Sequence, residues 1–488
     1  MANIQTEKQP AKWFGMLALI AGVLLVILNV LRIFKIPMTF DECAPHAEAV
    51  RPYLEIIQFK AVSSNNHILN SLLRKFFVQA FSDTPFWRRF DSLLAQVVYL
   101  VYSYRTCCRL FKKLNWQLCA FLLLNLYPFL FEFWGLSRGY GMAISLTLVS
   151  AYYLINYIDE RKILSLNLGL YAAILAVYAN FTLLDYFFGI LGCVVFQQIV
   201  TADISRQQKI REWISLSLAS AILYALVGGP IHKLVQAHEL YYGGTKNIVT
   251  DTIISVIKEN LFISGVPGKK LYLLASVVVL SVLVTGSWWL WRLFRKKADH
   301  EVIRGSVLWL LLAVPGVAVT AQHVLLNTLY PIDRTALFFI PLFILSLTYW
   351  LYYIQGSYSF FSKASLYVLT IAITTNFLVH MNMSTTRVWW FGDNDLVVFK
   401  RIISETKNKP SKNRLYVYWL FEPSFSYYIE SQYSSRFEPV KVFHECPADQ
   451  DSTFDYYYTS AECMHSIPSC YAVDTSFCGG SFYLMRRK

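Results

Sequence analysis

The sequence predicts an all-α polytopic membrane protein of about eleven spans, with a small mixed α/β segment facing outward at its C-terminal end. Three observations predict this. The first is composition: 56% of the 488 residues are hydrophobic and only 15% are charged, against roughly 25% charged in an ordinary soluble domain. The second is the recurrence of apolar runs of about twenty residues, the length needed to cross a bilayer core. The third is charge placement. The formal charge is +13, and the basic residues gather in short connections on one side, as the positive-inside rule requires of the cytoplasmic face.

The runs follow in order. The first, residues 14–36, is preceded by Lys8 and Lys12. It is too long for a signal-peptide core and lacks a small-x-small cleavage site, so it reads as a retained anchor with a cytoplasmic N-terminus. Further runs lie near 91–110, 116–135, 139–158, 164–183, 185–202, 213–230, 271–293, 306–329, 335–354 and 365–381. The connections bearing Arg105 and Lys113, Arg161 and Lys162, Arg206 and Arg211, and Arg292 and Lys297 fall on one side. The loop 37–90, the segment 231–270 and the tail then face outward. The chain divides into a membrane domain, 1–395, and an extracytoplasmic appendage, 396–488.

The outer segments carry patterns of their own. Within His67–Phe81, Ile68, Leu69, Leu72, Leu73, Phe76, Phe77 and Ala80 share one helical face, with Arg74 and Lys75 beside them. That is the pattern of a helix lying in the membrane interface. In the tail, Val417, Trp419 and Phe421 alternate as a strand would. Cys446, Cys463, Cys470 and Cys478 suggest two disulfides, with three possible connectivities. The rival is a metal site of His444, Cys446, Cys463 and His465, whose spacing fits no standard zinc pattern. No zinc finger, helix-turn-helix or Gly-rich phosphate loop is found, so nucleic acid is not an expected partner. Anionic headgroups suit the positive charge better.

Ionisable groups near membrane depth are costly and mark function. Most of those here lie toward the outer ends of the runs. An exposed Asp41-Glu42 pair follows the first run. Asn65, Asn66, His67 and Asn70 open the interfacial helix. Glu132, Arg138 and Tyr140 flank one turn, Asn180, Thr182 and Asp185 a second, and His323, Asn327, Asp333 and Arg334 a third.

Set in order, these segments resemble the GT-C membrane glycosyltransferases, in the bacterial group that includes protein O-mannosyltransferases and the aminoarabinose transferase of lipid A. The resemblance rests on Asp41-Glu42, Asn65–Asn70, Ser137-Arg138-Gly139-Tyr140-Gly141, Tyr178–Thr182, Pro331–Thr335 and Trp389–Asp393. It covers most of the membrane region, and the tail falls outside it. It implies an inverting transferase that takes a sugar from a polyprenyl-phosphate donor at the outer face of the cytoplasmic membrane. The acceptor is a lipid, a glycan or a protein. The phosphate is already a good leaving group, so one carboxylate suffices as base, unlike the carboxylate pair of a glycosidase. Asp41 is the implied base with Glu42 beside it. Arg138 and Arg334 are the implied phosphate ligands, and Asn66, His67, Tyr140 and Asp333 the implied substrate contacts. Some members use a divalent metal near the first-loop acids, and two carboxylates are too few to define one.

Each assignment has a structural counterpart. Asp41 can cap a helix beginning near Pro45, Arg138 can snorkel to headgroups, and Arg334 can pair with Asp333. His67 can be a polar helix start, and His323 a hydrogen-bonded buried histidine. A transporter or flippase is the alternative function. It predicts repeated halves and mid-span charges, which the sequence lacks.

Overall fold

A computed structural model describes residues 8–43, 51–201, 204–262, 268–295, 299–446 and 452–488. The chain forms two compact units. One comprises Met1–Val30, Tyr53–Leu73 and Phe90–Met381. The other comprises Leu31–Pro52, Arg74–Arg89 and Asn382–Lys488. The expected helix near Pro45 and the basic residue Lys297 lie outside the described residues.

The helices up to the tail are α1 (Lys8–Lys35), α2 (Phe40–Cys43), α3 (Tyr53–Ile57), α4 (Ile68–Ala80), α5 (Pro85–Leu110), α6 (Leu114–Asn125) and α7 (Pro128–Glu132). They continue with α8 (Gly139–Glu160), α9 (Ile163–Ala179), α10 (Leu184–Val200), α11 (Arg206–Gln236), α12 (Ile254–Asn260), α13 (Gly268–Arg295), α14 (His300–Leu326), α15 (Phe339–Ile354) and α16 (Ser359–His380). Every apolar run is helical over most of its length. Among the described residues seven helical stretches are long and apolar enough to cross a membrane, and α6, α9 and α15 are shorter apolar helices. The chain is a multi-pass membrane protein.

The run at 116–135 is not one helix. It breaks between α6 and α7, where Tyr127 is extended and Pro128 starts the next turn. Proline removes an N–H and disfavours helix before it. Residues 126–135 are all buried, which is where irregular backbone at such depth is tolerated.

Close packing in the helical unit rests on small residues. A Cβ on Gly286 would lie 2.4 Å from the Trp309 ring, and one on Gly305 2.3 Å from Trp289. These glycines let α13 and α14 approach with an indole seated in each gap. The basic ends also fasten helices together: Arg109 of α5 and Arg304 of α14 donate to opposite oxygens of Asp159 in α8, at 2.6 and 2.7 Å.

Helix α4 turns its polar residues inward. Asn70, Ser71, Arg74 and Lys75 are buried, while Phe76 is exposed and Leu72, Leu73 and Phe77 are half-buried. Ile68, at the start of the expected apolar face, is buried as well.

In the second unit a five-stranded sheet is ordered β2-β1-β3-β5-β4, with β1 (Leu415–Tyr418), β2 (Lys441–Phe443), β3 (Tyr456–Ser460), β4 (Tyr471–Phe477) and β5 (Phe482–Arg487). Strand β1 runs parallel to β2 and β3, and β5 runs antiparallel to β3 and β4. The strand expected through Phe421 ends at Tyr418. Trp419–Phe421 forms a 3₁₀ turn into α18 (Glu422–Tyr428), with Pro423 in its first turn.

Side-chain alternation gives the sheet two cores. Leu415, Val417, Tyr456 and Tyr458 pack with Val398, Phe399 and Ile402 of α17 (Asp395–Glu405) and with Met38 and Cys43. Tyr416 and Tyr457 pack on the other face with Phe443, Cys463 and Tyr471. One of the expected disulfides forms, Cys446–Cys463. Cys470 and Cys478 are free thiols, which corrects the expectation of two bridges. The bridge also takes both thiols of the rival metal set.

Candidate active site

The Asp41-Glu42 pair is not exposed. The chain leaves α1, turns at Pro37 and re-enters a helix at Thr39, whose amide and hydroxyl both donate to Glu42 Oε2, at 2.9 and 3.0 Å. Thr39-x-x-Glu42 is thus half of a capping box. The rest of the Glu42 carboxylate meets Arg89 as a fork, Nε to Oε1 at 2.8 Å and Nη2 to Oε2 at 2.6 Å. Both side chains are fully buried. Arg89 also donates to the carbonyls of Ile33, Ile36 and Pro37, at 3.2, 2.9 and 2.7 Å. A cation is favoured there, because the last carbonyls of a helix lack partners and carry its negative end.

The turn is further tied into the tail unit, since the Met38 amide donates to Tyr428 Oη at 3.0 Å. Arg88 beside it pairs with Asp83 and lies 4.5 Å over the Tyr427 ring. Asp41, 6% exposed, sits in the middle of this braced turn, inside α2.

The predicted substrate contacts lie in the helical unit, and they meet. Arg138 precedes α8 in an extended conformation. Its two Nη atoms donate to the backbone and side-chain oxygens of Asn65, at 3.1 and 3.3 Å. His67 meets the Tyr140 ring edge-on at 4.9 Å. The glycines of the Ser137–Gly141 motif permit this: a Cβ on Gly139 would lie 2.1 Å from the Ala179 carbonyl and 2.8 Å from His67, and one on Gly141 2.5 Å from the Phe133 carbonyl. Asn66 braces its own turn, donating to Ala61 O and accepting from Ser71.

From the far side Arg334 donates through Nε to Tyr140 Oη at 3.2 Å. It also donates through Nη1 to Tyr242 Oη at 3.4 Å, with its guanidinium 4.4 Å over the Tyr242 ring. Tyr242 donates in turn to Asp333 Oδ2 at 3.1 Å. Burial pushes the Asp333 carboxyl above its ordinary range and Glu259 adds to this, while Tyr242, Arg334 and Lys258 pull it back.

Other candidates have hydrogen-bond partners of their own. Asn180 Oδ1 accepts from the Thr182 amide and hydroxyl. Asp185 accepts from Gln322. His323 Nδ1 bonds Thr328 O at 2.6 Å. Asp393 accepts from the Thr386 amide.

Arg89 and Tyr242 are residues the sequence reading missed. The Thr39-x-x-Glu42 spacing was a visible signal for the cap. Nothing near Tyr242 announced its partner. Both Glu42 oxygens accept from Arg89 and Thr39, and no group of three or more His, Cys, Asp or Glu placed to hold a metal ion is found among the described residues.

No protein-family model matches the chain, and no curated relative matches it. Among solved structures it is similar to ArnT from Cupriavidus metallidurans in the apo state, at 10% identity and a TM-score of 0.48, over 96% of this chain and 97% of that one. The same protein bound to undecaprenyl phosphate aligns at 11% identity and a TM-score of 0.46, with the same coverage. An oligosaccharyltransferase from Archaeoglobus fulgidus aligns at 10% identity and a TM-score of 0.42, over 90% of this chain and 68% of that one.

Proposed function

We propose that the chain is a glycosyltransferase that moves a sugar from a polyprenyl-phosphate carrier to an acceptor hydroxyl at the outer face of the cytoplasmic membrane. The observation that carries this reading is the meeting of two motifs. Arg334 of Pro331–Thr335 reaches Tyr140 of Ser137–Gly141 at 3.2 Å across 194 residues of sequence, with His67 against the same tyrosine.

In the proposed step the acceptor oxygen attacks the anomeric carbon while its proton passes to the Asp41 carboxylate. The bond from that carbon to the phosphate oxygen breaks, and its electron pair leaves on the polyprenyl phosphate. The sugar is inverted. Arg334 offsets the charge on the departing phosphate, as a guanidinium fork suits phosphate oxygens. Arg138 holds Asn65 with both Nη atoms, so its role in this reading is to shape the site. Glu42, committed to Arg89, is a positioning residue for Asp41.

Asp41→Asn tests the reading. Insertion and folding stay normal, and transfer falls by about two to four orders of magnitude, the usual loss for a removed base. Full transfer by a normally folded Asp41→Asn protein would overturn the assignment.

A further inference from the structure

We infer that Tyr242, on the outer segment between α11 and α12, is a positioning residue that presents the Arg334 guanidinium to the phosphate of the donor. This rests on the proposed role of Arg334.

The segment is built to deliver that one side chain. Gly244 pairs with Tyr330 through two backbone bonds of 2.9 Å, from Gly244 N to Tyr330 O and from Tyr330 N to Gly244 O. This bridge sets Tyr242 beside the turn that carries Arg334. It needs glycine: a Cβ on Gly243 would fall 2.4 Å from Leu329 Cβ, and one on Gly244 2.2 Å from Asp251 Cβ. Beyond the bridge the chain is pinned again. The Asp251 carboxylate accepts from the Lys246 amide, and Asn247 Oδ1 accepts from the Val249 and Thr250 amides.

Tyr242 then acts on Arg334 in two ways. Its ring lies under the guanidinium plane at 4.4 Å, a stacking that fixes the plane in which the guanidinium would meet phosphate oxygens. Its hydroxyl sits between Arg334 and Asp333, accepting from the first and donating to the second. Asp333 is itself fixed, because its backbone amide donates to Ser255 Oγ at 2.9 Å. The ring therefore has an anchored carboxylate on one side and the bridge on the other. At 38% exposure it is also open enough to border a ligand.

The test is a double-mutant cycle on equilibrium binding of a polyprenyl phosphate in detergent micelles to the full-length protein. Tyr242→Leu weakens binding about tenfold in the Arg334 protein and leaves it unchanged in Arg334→Ala, because the ring works only through the guanidinium. Tyr242→Phe keeps the ring and loses about threefold, again only when Arg334 is present. If Tyr242→Leu does not fold, the Phe cycle decides alone.

Equal losses in both backgrounds, or none in the Arg334 protein, overturn the inference and leave the proposed function standing. Wild-type affinity in Arg334→Ala overturns the phosphate role itself, and the inference with it.

Discussion

In the turn at Thr39–Cys43 a guanidinium and a carboxylate are both fully buried and locked to each other, with the remaining Arg89 donors spent on three carbonyls. At Pro331–Thr335 the guanidinium of Arg334 is half-buried, and the contacts named above are to two phenols and a ring. The first arrangement spends its charges on geometry. In the second, two phenol oxygens and a ring are among the groups that hold the cation. The difference teaches that adjacency in a motif is a poor guide to role. In the function proposed above, Glu42 and Arg138 brace their turns, and Asp41 and Arg334 meet the substrate.

Breaking the buried pair is the largest expected effect on the fold. Arg89→Met leaves Glu42 buried without its counter-ion and lowers stability by about 3–5 kcal/mol, measured as a drop in the unfolding midpoint in detergent. Replacing both partners, Arg89→Met with Glu42→Leu, restores much of that stability, since apolar pairs of similar volume substitute well for buried ion pairs. The double variant still loses sugar transfer, because Asp41 is then no longer braced. Recovery of activity along with stability would mean that the pair contributes only to folding.

Arg334→Lys comes next. It keeps the charge and loses the fork and the stacked plane, so donor binding weakens by about 10- to 100-fold, or roughly 1.4–2.8 kcal/mol, with the unfolding midpoint unchanged. Arg138→Lys shows the reverse order: its Nη atoms hold Asn65 at 3.1 and 3.3 Å, so the midpoint falls more than donor affinity does. Identical behaviour of the two variants would erase the distinction drawn between them.

The smallest effect concerns pH. Burial holds the Asp395 carboxyl well above its ordinary range, Ser424 donating to it opposes this and Asp393 adds to it. The native state thus keeps a proton that the unfolded chain has lost. The resulting stability is fully present below the unfolded pKa and is lost as pH rises through the native one. Asp395→Asn removes that loss and stabilises the tail unit at neutral pH by about 1 kcal/mol or more. The unfolding midpoint of the wild type, followed from pH 4 to 8, falls relative to the variant. Parallel pH profiles would contradict this.

Much of the helical architecture was legible, because period and length alone mark a run as helical and apolar enough for lipid. The break before Pro128 was written in the sequence too, yet a continuous apolar run masked it. Three kinds of feature were not legible. The grouping of Leu31–Pro52 and Arg74–Arg89 with the tail depends on contacts such as Met38 with Val398 and Phe399, which no local pattern encodes. Burial of the Asp41-Glu42 pair depended on Arg89, 47 residues away. Cysteine counting set the disulfide candidates, but Cys478 lies by Asn394 instead of by another thiol.

The most direct test of the central claim uses the wild-type protein in sealed proteoliposomes, supplied with lipid-linked sugar extracted from cells that lack it and with the acceptor fraction from the same cells. The account predicts covalent transfer of the sugar, with one polyprenyl phosphate released for each sugar moved and inverted stereochemistry in the product. Passage of the intact lipid-linked sugar across the bilayer, with no product formed and no carrier released, would contradict it and favour a flippase.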